Sequence, residues 1–268
     1  MSRIDDTFAR LRAERQTGLV TYVTAGDPDL ERSRVLLETL DRAGADILEV
    51  GVPFSDPLAD GPVIQRATER ALAAGGTLAS TLDLIAEVRP TISAAVVVFT
   101  YTNPVLAMGL DIFVKRAAVA GVDGVLVLDL PIEESEDLRK AATRSGLDPI
   151  FLLSPTTSEA RIRRAAELGR GFLYGISRLG VTGERDTIST GARELVERIR
   201  RVTMLPIALG FGISSPEHVA KVGQWADAAV VGSGIVNTIA KAVNGDLIGE
   251  VERYVHWLRS GLEVSPKR

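Results

Sequence analysis

Eight short apolar runs, each separated from the next by a helical pattern, constrain this chain more than any other feature. They begin at Leu19 (LVTYVT), Asp46 (DILEVG), Ala94 (AAVVVFTY), Asp123 (DGVLVLD), Pro149 (PIFLLS), Gly171 (GFLYGIS), Pro206 (PIALG) and Asp227 (DAAVVGS). Brevity and β-branched content mark these runs as strands. The stretches between them, such as ERSRVLLETLDRAG, ESEDLRKAATRSG and SEARIRRAAELG, follow helical spacing and close near a glycine suited to a C-cap. Most starts lie roughly 20 to 35 residues apart, the length of one strand, a crossover helix and two connections, so the strands should run parallel. Eight such units within 268 residues fit a closed (β/α)8 barrel better than an open doubly wound sheet. The expected fold is α/β, one barrel domain over residues 1–268. An extra amphipathic helix in residues 1–18 is placed to plug its bottom, and extra helices (VIQRATERALAAG and LASTLDLIAEVR) sit in the second connection.

Two connections are long, the one after the second strand and SRLGVTGERDTISTGA after the sixth. Both leave carboxyl ends of strands, where barrel active sites are built. The first opens with EVGVPFSDPLADGP, residues 49–62, which carries Glu49, Asp56 and Asp60 on a segment shaped by Pro53, Pro57, Gly61 and Pro62. Alternation along DILEVG puts Glu49 on the face of Ile47, toward the core. A carboxyl at a strand end beside a second on the next loop suits acid and base work; acids that cap helices and face water are the plainer alternative for each Asp. GVTG (180–183), GFG (210–212) and GSG (232–234) follow the sixth, seventh and eighth strands and converge on one side of the barrel mouth. Each alone reads more often as turn chemistry, but three at the correct strand ends, with Ser233 opening a last helix, form an anion site of the kind that takes a phosphate.

Composition removes other classes. Net charge is −4 with basic and acidic residues intermixed, so no nucleic-acid or anionic-membrane surface is expected. The absence of cysteine excludes disulfides and thiolate chemistry, and two distant histidines, His218 and His256, suggest no metal site. The charged N-terminal segment is unlike a signal peptide and no apolar run reaches the roughly 18 residues of a spanning helix, so a cytoplasmic protein is expected.

The segments EVGVPFSDPLADGPVIQ, YTNPVLAMG, SRLGVTG and GFGISSPEHV, in this order and spacing, resemble the alpha-subunit family of tryptophan synthase. The likeness spans essentially the whole chain, and PFSDPLADGP is its most specific part. It implies a TIM barrel that catalyses a carbon–carbon lyase reaction of tryptophan biosynthesis without a cofactor, the retro-aldol cleavage of indole-3-glycerol phosphate to indole and glyceraldehyde 3-phosphate. By resemblance Glu49 is the general acid and base, Asp60 holds the indole N–H, and Tyr174 either polarises the substrate or is a core aromatic. Gly183, Gly212, Ser233 and, with them, Gly232 and Gly234 correspond to the phosphate site. Tyr22, Thr100, Tyr101, Leu126 and Phe211 correspond to the indole slot, and Thr182 to a lid residue that closes on Asp60. Arg178 and Asp186, on the same loop, read as solvated.

The resemblance further implies a pyridoxal-phosphate-dependent beta subunit as partner in an alpha2-beta2 heterotetramer, the cofactor belonging to the partner. It is met through Pro53 and Asp56 on the acidic loop, the YTNPVLAMG segment, and Asp129 to Pro131. Four positions depart from the common family pattern: Tyr22 for a frequent phenylalanine, Thr102 for a tyrosine, Gly175 for a larger residue and Gly234 for an alanine. Three readings stay open on sequence: this subunit, a binding module that only activates the partner, and another phosphosugar barrel enzyme, such as an isomerase or aldolase, or a stand-alone lyase releasing free indole. Retention of both Glu49 and Asp60 weighs against the second. Lys115, Lys140 and Lys221 fall in helical patterns rather than at strand ends, which weighs against a Schiff-base aldolase.

Overall fold

Small and β-branched residues bury both faces of nearly every strand, as a parallel sheet wrapped in helices requires. The computed structural model describes residues 2–176, 190–210 and 212–263. Among them are nine strands: β1 (Gly18–Thr24), β2 (Ile47–Gly51), β3 (Ala95–Thr100), β4 (Gly124–Val127), β5 (Asp148–Pro149), β6 (Phe151–Leu153), β7 (Leu173–Ile176), β8 (Ile207–Gly210) and β9 (Ala228–Val231). All pairings are parallel, in the order β5-β4-β3-β2-β1-β9-β8-β7-β6. The sheet curls until its two edge strands are successive pieces of one segment, giving a nearly closed barrel. The fifth expected strand is thus broken in two. Pro149 has no N–H to give the ladder, and the chain crosses from pairing with β4 to pairing with β7 at Ile150, whose amide still donates to the Val125 carbonyl at 2.9 Å.

The helices are α1 (Arg3–Ala13), α2 (Leu30–Arg42), α3 (Pro62–Ala73), α4 (Leu78–Val88), α5 (Thr102–Met108), α6 (Leu110–Ala120), α7 (Glu136–Arg144), α8 (Glu159–Leu168), α9 (Thr190–Arg200), α10 (Pro216–Gly223), α11 (Ser233–Ala242) and α12 (Leu247–Glu263). Their starts are written in the sequence. Asp29 accepts from the Arg32 amide to cap α2, Thr77 and Ser80 form a capping box on α4, and Ser215 with Pro216 opens α10. The two helical stretches expected after the second strand are α3 and α4. Among the described residues no single helix is long and apolar enough to cross a membrane.

The period of two along each strand divides the core. Val20, Tyr22, Ile47, Val97, Phe99 and Tyr174 belong to the cluster inside the barrel, whereas Leu19, Val23, Leu48, Val96 and Val98 pack outward under the helices. Helix α1 closes the amino-terminal end, its Ile4, Phe8 and Leu11 joining the interior cluster and the Phe8 ring lying 5.8 Å from that of Phe172. Glycines make room for it: a Cβ at Gly18 would fall 2.8 Å from Leu11 Cδ1, and one at Gly124 would fall 2.9 Å from Ile4 Cδ1. The aspartates that precede strands add polar anchors at this end. Asp46 accepts the Leu19 amide at 2.9 Å and Asp123 the Val96 amide at 2.8 Å, each tying its strand to a neighbour. The same two carboxylates pair with Arg10 and Arg3 of α1. With the amino-terminal end plugged, the carboxyl ends of the strands remain as the open face.

Candidate active site

At that face Glu49, the middle residue of β2, points inward above Ile47 and opposite Tyr22, with which it shares a register position. It is 1% exposed, and among the described residues its Oε1 has no hydrogen-bond partner. A carboxylate denied both water and donors is costly, so burial pushes the Glu49 carboxyl up to about 8 and keeps it protonated at neutral pH. Asp60 arrives from the proline-rich loop, just ahead of Gly61 and the first turn of α3, and is 6% exposed. Burial raises its carboxyl to about 6, against a hydrogen bond donated by the Tyr101 hydroxyl at 2.9 Å that favours the ionised form. Near neutrality the site therefore holds one protonated and one mainly ionised carboxyl. Both carboxyls are raised, because Asp60 too is largely buried.

Both acids line one cavity with Tyr22, Tyr174, Gly212, Gly232 and Ser233; Ile64, Phe99, Ile213 and Val230 complete its apolar wall. Two tyrosines flank Glu49 by a repeated device. Tyr22 leans along β1 until its hydroxyl lies over Gly51, and Tyr174 leans along β7 until its hydroxyl lies over Gly210; any Cβ at either glycine would overlap the phenol. Burial, and then the neighbouring Glu49 carboxyl, raise the Tyr174 phenol well above its ordinary value, so it stays a hydrogen-bond donor. Gly212, at φ +81°, turns the chain after β8, and α11 begins at Ser233 behind Gly232, which has no side chain to cap it. Gly232 and Ser233 line the cavity, so the amino-terminal end of α11 adjoins it, where an anion is favoured by the partial positive charge of first-turn amides.

Other expected site residues fall elsewhere. Thr100 is buried on the outward parity of β3 with its hydroxyl on the Tyr101 carbonyl, and Phe99 takes the inward place. Leu126 belongs to the barrel interior without lining the cavity, and Tyr101 holds Asp60 while donors and rings on the acidic loop, the Ala59 amide and Phe54, hold Tyr101. Gly234 sits within α11. Pro53 is buried beneath Gly76, whereas Asp56 and Pro131 are exposed. Asp129 is exposed too, and accepts from the Thr102 amide and hydroxyl at 2.7 and 2.8 Å. Thr182, Gly183 and Phe211 lie outside the described residues, as do Arg178 and Asp186. Of the four cavity residues that sequence reasoning missed, Phe99 and Val230 were findable from the period of two. Ile64 begins the buried face of α3 and Ile213 sits in a loop, so the period of two reaches neither.

Fold and site together define a (β/α)8-type barrel with two buried carboxyls facing one cavity at the carboxyl ends of its strands. The sequence profile of the tryptophan synthase alpha chain family matches residues 8–259. The tryptophan synthase alpha chain of Geobacter sulfurreducens is 47% identical over 262 residues, covering 98% of this chain and 99% of that one. Among solved structures, tryptophan synthase subunit alpha from Legionella pneumophila superposes with a TM-score of 0.90 at 35% identity, covering 98% of this chain and 99% of that one. A Mycobacterium tuberculosis tryptophan synthase structure gives 0.92 at 36% identity with the same coverage. The chain belongs to the tryptophan synthase alpha chain family.

Proposed function

We propose that this chain is the alpha subunit of a tryptophan synthase and cleaves indole-3-glycerol phosphate to indole and glyceraldehyde 3-phosphate, with no cofactor of its own. The observation that carries the reading is a buried, protonated Glu49 and a largely ionised Asp60 facing one cavity. The Glu49 carboxyl gives its proton to indole C3 while that carbon still bears the glycerol chain. Asp60 accepts a hydrogen bond from the ring N–H and stabilises the positive charge that C3 protonation creates. The Glu49 carboxylate then takes the proton of the hydroxyl on the adjacent chain carbon. As the aldehyde forms, the electron pair of the breaking carbon–carbon bond returns to the ring and neutralises it. Glu49 ends protonated as it began, so one side chain moves one proton from oxygen to carbon.

Tyr174, beside Glu49, donates to the reacting chain, and Tyr22, Phe99 and Ile64 supply the slot for the indole. The phosphate lies on the amides of Gly212, Gly232 and Ser233, with Gly183 completing the set. Thr182 closes the site. The partner is a pyridoxal-phosphate-dependent beta subunit in an alpha2-beta2 heterotetramer, and its cofactor belongs to it. Support for this face comes from two large apolar side chains beside the cavity mouth, Leu58 at 90% and Leu106 at 67% exposure. Asp129, by capping α5, ties the β4 loop to the helix that carries Leu106.

The test mixes the purified chain with indole-3-glycerol phosphate and follows glyceraldehyde 3-phosphate with and without a tryptophan synthase beta subunit. Slow turnover that rises sharply with the partner is expected. Fast turnover by the chain alone would favour a lyase that releases free indole, and no turnover in either condition would refute the reading.

A further inference from the structure

We propose that Tyr254, on the outer helix α12 and away from the cavity lining, is a positioning residue for the phosphate subsite; this rests on the phosphate placement given above. That subsite is made by two separate loops, the one after β8, which carries Gly212 and Ile213, and the one after β9, which leads through Gly232 into α11. Both loops turn on a glycine. Gly212 occupies a positive-φ conformation with no Cβ to confine it, and α11 starts on a residue without a capping side chain. Helix α12 packs against both α10 and α11, the helices that these loops feed. From it the half-buried Tyr254 reaches between them. Its hydroxyl donates to the Ser214 carbonyl at 2.9 Å, two residues past Gly212, and the same oxygen rests on Gly234, two residues past Gly232. Its ring is steadied at 5.6 Å by Trp257.

The contact at Gly234 explains a departure noted in the sequence. The sequence resemblance sets alanine against this glycine, and in this chain the Tyr254 hydroxyl occupies the space that a Cβ would fill. Gly234 and Tyr254 are thus two halves of one device: the missing methyl admits the phenol, and the phenol fixes the peptide after Ser214 relative to the first turn of α11. Fixing that separation fixes the spacing between the Gly212 and Ser233 amides. A preorganised pair of donors binds an anion better than the same donors free to drift.

The experiment measures KM and kcat for indole-3-glycerol phosphate, and inhibition by inorganic phosphate, with the beta subunit present. It compares wild type, Tyr254→Phe, Gly234→Ala and the double variant. Tyr254→Phe keeps the ring and loses one neutral hydrogen bond, so KM and the phosphate inhibition constant should both rise roughly fivefold while kcat changes less. Gly234→Ala should be worse, because the new methyl displaces the phenol as well. The double variant, with the obstructing oxygen removed, should recover to the Tyr254→Phe level. A role confined to folding would instead lower Tm in all variants and leave KM and phosphate inhibition where they were, and that result would overturn the proposal. So would a double variant no better than Gly234→Ala. Wild-type protein indifferent to inorganic phosphate would overturn the phosphate placement itself, a failure read from the unaltered chain before any variant is compared.

Discussion

A glutamate held inside a barrel can be both acid and base only if its environment lets either form exist near neutral pH, and Glu49 has that environment. Its carboxyl sits at about 8 and that of Asp60 at about 6, both raised by burial. Turnover should therefore rise with pH as Asp60 ionises through about 6 and fall as Glu49 loses its proton through about 8, giving a bell between the two. Tyr101→Phe removes the hydroxyl that favours ionised Asp60, so the acid limb should move to higher pH. A limb set by the substrate phosphate would not move. Burial of Glu49 also has a cost to stability. Its folded value exceeds the ordinary 4.5, so the folded protein keeps a proton that the unfolded chain releases. The stability due to this group is full below about 4.5 and is lost as pH rises through about 8. Glu49→Gln, which has no such proton, should melt higher than wild type by several degrees at pH 8 and by little at pH 4; equal melting at both would contradict the burial argument. Glu49 was legible because a period of two ties it to Ile47. The same rule makes Phe99 the inward residue and Thr100 the outward one, a distinction that site motifs alone do not make. The link from Tyr101 to Asp60 spans 41 residues and had no local signal.

Elements were easier to read than their joins. Strand and helix existence followed from apolar period and caps, while the break at Ile150 came from how a proline-bearing segment must serve two neighbours at once, a tertiary demand. The amino-terminal helix is an element whose role position foretold: it plugs the end opposite the site. Phe8→Ala should therefore cost about 3 to 5 kcal/mol in urea unfolding, the usual loss for a buried phenylalanine, while turnover of the folded fraction stays near wild type. A comparable loss of turnover at full folding would mean that α1 acts on the chemistry as well. The aspartates that start strands were visible as letters, but their bonds to neighbouring strands were not, since register is set only when the sheet closes.

For the whole molecule, a plugged bottom leaves the barrel mouth with its two acids as the open face, the one proposed to meet both substrate and partner. Leu58 and Leu106 stand exposed on that face, so Leu106→Glu should weaken association with a beta subunit at least about tenfold without altering the stability of the isolated chain. Unchanged association would place the partner elsewhere. The barrel was legible because eight repeats of strand and helix have few other solutions. The pairing of its carboxyls was legible only in part, because it depends on which loops meet across the mouth. The central claim is that one buried glutamate carries the proton from oxygen to carbon. Its most direct test is turnover of indole-3-glycerol phosphate by Glu49→Gln with the beta subunit present. The account predicts a loss of at least about a hundredfold in kcat with substrate still bound; near-normal turnover would contradict it.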